Sequence, residues 1–229
     1  MIHHSRGIVL NYIKFRESSI IVRIFTEAFG MQSYIVNGAR SARSRGKIAL
    51  YQPLTLLDMV VYHKPAKDIQ RISEARCSFP FTSIPFHPVK TGISIFITEV
   101  LTKLLREEAE NKDLFSFMFN AIQVFDHLKE GVNNFHLQFL LKASAYLGFK
   151  PDSANDFLLQ LSDYGLHLTT EDKERKIIDE FLSQPLGDPL RISSTFRREL
   201  LSHILRFYQL HTDALREVKS LEVLKEVLS

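Results

Sequence analysis

Of 229 residues, only Cys77 is a cysteine. An intramolecular disulfide framework is excluded, and so is a multi-cysteine zinc site. Cys77 is expected as a small buried or half-buried strand residue in a reducing compartment. A nucleophilic role with a distant His has no local pattern to specify it. No window approaches the roughly 18 uninterrupted apolar residues of a membrane span. The opening run, MIHHSRGIVLNYIKF, is short and broken by Asn11 and Lys14, so no secretion signal is expected. Trp is absent and Phe occurs 18 times, which decides nothing about chemistry. The formal charge of +3 is too small to announce a nucleic-acid binder, so the distribution of charge matters more than the total.

Catalytic motifs are lacking as well. Gly46-Lys47 is followed by Ile48, and Ser41 stands where a P-loop needs its first Gly. There is no GxGxxG, GxSxG or HExxH. His127 and His136, and His203 and His211, are spaced too far apart to share a metal. Glu107, Glu108 and Glu110 read either as a solvated face or as cation ligands. No cofactor and no catalytic residue is expected.

Acids are missing where cations gather. From Ala28 to Leu57 there is no Asp or Glu, and the window holds Arg40, Arg43, Arg45 and Lys47 in the stretch GARSARSRGK. Cations without nearby carboxylates attract phosphate, and Ser, Ala and Gly spacers let a loop follow a backbone. An ordinary solvated loop is the competing reading.

What is present divides the chain in two. GIVLNYIKF, SIIVRIFTE, MQSYIVNGA, LTLLDMVVYH and IQRISEARCS are strand-like and separated by turn signals. Five antiparallel strands in this space fit a small closed or half-closed barrel, a common scaffold for single-stranded nucleic acid. Tyr12, Phe15, Tyr34, Tyr51 and Tyr62 are candidate stacking surfaces. The connector FPFTSIPFHP, with three prolines, marks a boundary. Beyond it the period is helical. Helices are expected over 90–110, over 114–128 with Asp113 as cap, from the Asn pair before Phe135 to Gly148, over 171–183 with Thr170 as cap, over 194–211 and over 220–228. The domains expected are 1–80 and 81–229.

The ordered set RGIVL (Arg6–Leu10), FRESS (Phe15–Ser19), FTEAFG (Phe25–Gly30) and NGARSARSRGKIALYQPLTLLD (Asn37–Asp58) resembles the RecO family of bacterial recombination mediators. ISEA (Ile72–Ala75), ITEVL (Ile97–Leu101), YLGFKP (Tyr146–Pro151), RELLSHILRFYQLH (Arg198–His211) and KSLEVL (Lys219–Leu224) extend the likeness over almost the whole chain. The resemblance implies an α+β protein, an N-terminal five-stranded OB-fold β-barrel followed by a C-terminal α-helical domain. It implies binding of single- and double-stranded DNA, annealing of complementary strands, and loading of RecA onto DNA coated by single-strand-binding protein (SSB). RecR, and in some systems RecF, are the implied partners, in a cytoplasmic, nucleoid-associated setting without membrane contact. Arg40, Arg43, Arg45 and Lys47 are the expected phosphate contacts, with Arg6, Lys14, Arg16 and Arg23 as weaker candidates. The family also binds the acidic, Phe-ending SSB tail, which requires an apolar pocket with cations. Candidates are Lys103, Arg106, Lys142, Arg197, Arg198 and Arg206. One departure stands out. Many members carry four zinc-binding cysteines after the LGFxP helix end, and here DSANDFLLQLSDYGLHLTTED has none. Asp152, Asp156, Asp163 and His167 do not reproduce that ligand set. No structural zinc is expected, and packing of Phe157, Leu158, Leu161 and Leu166 is expected to hold the segment. Two other readings stay open: an adaptor whose basic loop meets an acidic protein surface, and an enzyme using metal-bound carboxylates.

Overall fold

The computed structural model describes residues 1–41, 47–106, 108–163, 165 and 172–228. Arg43, Arg45, Gly46, Glu107, Leu166, His167, Thr170 and Glu171, named above, lie outside the described residues.

The five strand-like segments form β1 (Ile2–Phe15), β2 (Ser19–Thr26), β3 (Gly30–Val36), β4 (Leu56–Tyr62) and β5 (Ile69–Phe79). They close into a barrel in the order β1-β2-β3-β5-β4, the expected OB-fold plan. β1 serves both ends of the closure: Ile2–Ile8 pair with β4 and Gly7–Phe15 pair with β2, across a register shift between Val9 and Asn11. Such a bulge bends a long strand and increases its twist. The seam is short and parallel, not antiparallel as the strand pattern suggested, with Ser33, Tyr34 and Ile35 of β3 opposite Ile69, Gln70 and Arg71 of β5. Val9, Ile20, Val22, Ile24, Tyr34, Val36, Leu57, Met59 and Val61 fill the interior. Beyond Arg71, β5 has β4 as its strand neighbour. Cys77 lies on that stretch and is exposed, not buried as its residue type suggested.

The chain divides into two compact units. One comprises 1–82 and 94–119; the other comprises 83–93 and 120–229. In the first, the barrel also buries an outer apolar row. Ile8 pairs with Phe25 on one side and Leu56 on the other, and all three are fully buried. The Phe25 ring lies 6.0 Å from that of Phe115. Gly30, at φ +63°, is pressed against the chain at Glu108 and Ala109, and Met31 N donates to Glu108 O at 2.9 Å.

The helices are α1 (Pro88–Leu104), α2 (Lys112–His127), α3 (Phe135–Tyr146), α4 (Ala154–Asp163), α5 (Asp172–Ser183), α6 (Ser194–His211) and α7 (Leu221–Leu228). The cap of α2 is Asn111, whose Oδ1 accepts from Leu114 N at 3.0 Å; Asp113 falls inside the first turn. Asn134 precedes α3 without capping it. Its Nδ2 donates to Leu190 O at 2.6 Å and its Oδ1 accepts from Arg197 Nε at 2.8 Å. α4 was not anticipated. Ser153 Oγ accepts from Asp156 N at 3.2 Å, and Ala154, Phe157, Leu158 and Leu161 form the buried face. Phe157 and Phe149 pack on Phe207, with ring centroids 5.0 and 6.0 Å away. Among the described residues, no group of His, Cys, Asp and Glu is gathered so as to hold a metal ion.

Candidate nucleic-acid interface

The register places the cations before any side chain is considered. The first turn (16–18) follows β1, and residues 37–41, which open the β3–β4 connection, fold back onto it. Arg40 N donates to Ser18 O at 2.9 Å, and Ser19 Oγ donates to Asn37 Oδ1 at 3.3 Å. The Arg40 guanidinium completes the staple, donating from Nη2 to Arg16 O at 2.7 Å and Glu17 O at 2.6 Å, and from Nε to Ser19 O at 3.4 Å. Arg40 therefore keeps its charge at this end of the barrel while acting as a clamp between two loops. Arg16 sits in the turn at φ +50°, its guanidinium 5.1 Å above the half-buried Phe15 ring. Lys14 is exposed opposite Ile20. Lys47 begins a short 3₁₀ turn (Lys47–Tyr51) with Nζ 3.5 Å from Asn37 O. The β4–β5 loop (63–68), with Lys64 and Lys67, lies at the other end of the barrel, where His63 N donates to Met1 O at 3.2 Å and the His63 ring stacks on Phe29 at 4.0 Å; Arg71 stands in β5 opposite Ile35. Among the described residues, Lys14, Arg16, Arg40 and Lys47 share their stretches with one carboxylate, Glu17.

A row of outward side chains crosses the sheet beside them. Ile13, Ile21 and Ile35 are register partners, and Arg71 continues the row. Ile13 is 61% exposed. In the adjacent row, Arg23 lies between Asn11 and Ser33, with Nη2 donating to Arg106 O at 3.2 Å. Two expected stacking surfaces are not available. Tyr34 is fully buried in the barrel and Tyr51 is 2% exposed. Burial raises both hydroxyl pKa values, that of Tyr51 to about 12. Tyr12 packs partly against the core, whereas Tyr62 is 43% exposed.

Arg6 lies elsewhere, nine residues before Phe15, or about 30 Å along an extended strand. It pairs with Glu27 through Nη2–Oε1 at 2.7 Å and Nε–Oε2 at 3.0 Å. That hydrogen-bonded pair raises the guanidinium pKa and lowers the carboxyl pKa. The Arg6 guanidinium also sits 4.7 Å over the Phe119 ring and 5.4 Å over Phe115. Its strand partner Asp58 holds Arg76 at 3.3 Å.

Two clefts of the barrel unit differ in sign. The larger, about 590 Å³, includes Arg6, Arg76 and His4 together with Glu27, Asp58 and Glu74. The smaller, about 170 Å³, opens at the β3–β5 seam and is lined by Asn37, Lys47, Arg71 and Ser73 with apolar Ile35, Val36, Leu50, Tyr51, Ile72 and Ala75. Among the described residues, no carboxylate lines it.

The helical unit holds a groove of about 1300 Å³. Leu201 and Leu205 of α6 and Leu221, Leu224 and Leu228 of α7 supply apolar lining; Arg197, Arg198, Arg206 and Lys225 supply positive charge and Glu226 a negative one. His203 and the fully buried His136 also border it. Arg206 Nη1 donates to Gln209 Oε1 at 3.1 Å. The groove thus gathers three of the six cations proposed for an acidic peptide. Lys142 is turned to Leu182 O at 3.2 Å, and burial lowers its pKa. Lys103 pairs with Glu99 at 3.2 Å, and Arg106 is exposed just beyond α1. Neither lines the groove. Sequence reasoning did not single out Lys64, Lys67, Arg71 or Lys225. Lys64 and Lys67 were visible as part of a turn, but the position of Arg71 depends on strand register.

Two family models account for most of the chain: Recombination protein O N terminal matches residues 1–81, and Recombination protein O C terminal matches residues 86–160. Relatives match from end to end. The DNA repair protein RecO of Flavobacterium psychrophilum is 35% identical, with 98% of each chain covered. That of Bacteroides fragilis (strain ATCC 25285) is 32% identical over 99% of each, and that of Flavobacterium johnsoniae is 32% identical over 98% of each.

Proposed function

The chain belongs to the RecO family of recombination and DNA repair proteins, and from that premise we propose that it is a non-enzymatic DNA-binding mediator of recombinational repair. Its barrel binds single- and double-stranded DNA, and the protein anneals complementary strands and helps load RecA onto SSB-coated single strands with RecR. RecF is a further candidate partner, and the work is done in the cytoplasm on the nucleoid. The observation that carries the reading is the cation cluster at one end of the barrel, where, among the described residues, Lys14, Arg16, Arg40 and Lys47 share their stretches with a single acid, Glu17. Arg43 and Arg45, in the same connection, belong to the proposed set. Such contacts set affinity and salt dependence rather than sequence choice. Arg6 is left out of the phosphate set because Glu27 neutralises it. Arg23 is a marginal member because it is partly engaged with Arg106 O.

The groove between α6 and α7 supports the second half of the proposal. Leucines can receive an aromatic terminal residue, while Arg198 and Arg206 hold the carboxylates of an acidic SSB tail; Lys225 is left out because it pairs with Glu222 at 2.8 Å. An adaptor that binds this peptide but no DNA is the competing reading. The test is fluorescence anisotropy with a labelled single strand and, separately, a labelled tail peptide. Replacing Arg40, Arg43, Arg45 and Lys47 by Ala is expected to reduce the log–log salt slope for the single strand by about 3. Peptide binding should persist in that variant and fall in Arg206→Glu. Peptide binding without any DNA binding by the wild type would favour the adaptor.

A further inference from the structure

The two barrel clefts invite different ligands, and the smaller one accounts for a residue that the mediator reading does not otherwise use. β3 leaves the parallel seam after Ile35, whereas β5 runs on, so a notch opens between Val36–Asn37 and Ile72–Ser73. The 3₁₀ turn bearing Lys47 borders the same notch. Arg71 lies beside Ile35 at its mouth, and among the described residues its guanidinium makes no hydrogen bond or ion pair. A notch of about 170 Å³ equals roughly six water volumes, room for one phosphate with part of its sugar. Its walls offer two cations, the Asn37 amide and the Ser73 hydroxyl, with Leu50, Ile72 and Ile35 as apolar lining. The other cleft of similar cation content carries three carboxylates and would repel an anion.

We propose that the β3–β5 notch is a seat for a single backbone phosphodiester of bound single-stranded DNA, held between Arg71 and Lys47. The inference rests on the DNA-binding reading and adds a fixed point to it: the strand leaves the cationic loops and crosses the sheet at its seam, alongside the Ile13–Ile21–Ile35 row. Arg71 acts as the fork-shaped donor and Lys47 as the point charge. Ser73 supplies a hydroxyl donor from β5.

The experiment compares full-length wild type, Arg71→Ala, Arg71→Lys and Arg76→Ala. Each is titrated onto a labelled oligothymidylate from about 50 to 200 mM salt, a range over which phosphate contacts are resolved. Thermal unfolding checks that each variant is folded. Arg76 is on the same strand but lines the acidic cleft, so it controls for loss of charge alone. The expected result is a slope shallower by about 0.7 in Arg71→Ala, recovery of most of that slope in Arg71→Lys, and no change in Arg76→Ala. Wild-type binding with an unchanged slope in Arg71→Ala overturns the notch and leaves the mediator reading standing. Equal effects from Arg71→Ala and Arg76→Ala also overturn it, by showing that position on β5 is irrelevant. A wild type that binds no single strand overturns both.

Discussion

His136 gives the protein an acid limit that can be calculated. Its side chain lies in α3, fully buried, beside the charge of Arg197. Burial, reinforced by that guanidinium, pushes the folded-state pKa down to about 3. The unfolded chain titrates near 6.5. Below pH 6.5 the unfolded chain therefore takes up a proton that the folded one refuses, so stability falls as pH falls until the folded pKa is reached. Each pH unit in that window costs up to about 1.4 kcal/mol, and between about pH 7 and 5 the integrated loss is about 2 kcal/mol. A loss of that size is a substantial share of a typical domain's stability. The assay is urea unfolding followed by far-ultraviolet circular dichroism at several pH values, for wild type and His136→Leu. The variant is expected to lose about 2 kcal/mol less over this interval, whatever its stability at neutral pH. His203 and His211 also have lowered pKa values from burial and remain in both proteins, so some acid sensitivity persists. Parallel pH curves for the two proteins would refute the argument.

Three further outcomes are expected. Gly30→Ala places a Cβ 2.3 Å from the Glu108 carbonyl oxygen at a positive φ, and should cost at least about 2 kcal/mol in thermal or urea unfolding. Gly92→Leu meets Val227 of α7, whose Cγ2 lies 2.5 Å from the position of the new Cβ. Displacing α7 should weaken capture of an acidic tail peptide by about 1–3 kcal/mol while the DNA salt slope is unchanged. Arg40→Ala removes the guanidinium clamp on three carbonyls and should destabilise the two loops by about 1–2 kcal/mol. Faster amide exchange at 16–19 would report the loosening, alongside a DNA slope loss larger than one cation explains.

The barrel was legible because alternation in β2 and β4 and the turn residues between strands agree with one another. The inner set Ile20, Val22 and Ile24 is the set that a period of two selects. α4 shows the opposite case. Its Ala154, Phe157, Leu158 and Leu161 follow helical spacing, but a short run of spaced apolar residues signals packing without naming the element. The cap of α2 moved by two residues because Asn111 and Asp113 both suit that role, and only geometry chooses between them. Tyr34 and Tyr51 were offered as stacking rings since composition cannot say which face of a strand or turn looks inward. The candidate phosphate residues were legible only as a cluster along the chain. Arg40's attachment to three carbonyls, Arg6's neutralisation by Glu27 and Arg71's place at the seam all depend on pairings between distant segments. The groove is similar. Arg197, Arg198 and Arg206 were visible on one helix, but α7 had to be placed before they bordered anything.

The outer row Phe25–Ile8–Leu56 has a practical consequence for dissecting this protein. A protease nick or gene truncation near residue 81 looks natural, since the N-terminal family match ends there. Such a fragment would lose Phe115, the neighbour of the fully buried Phe25 at 6.0 Å, and with it the rest of 94–119, which belongs to the same compact unit. The compact unit that holds the barrel also holds 94–119, so a fragment meant to keep that unit whole has to include both stretches.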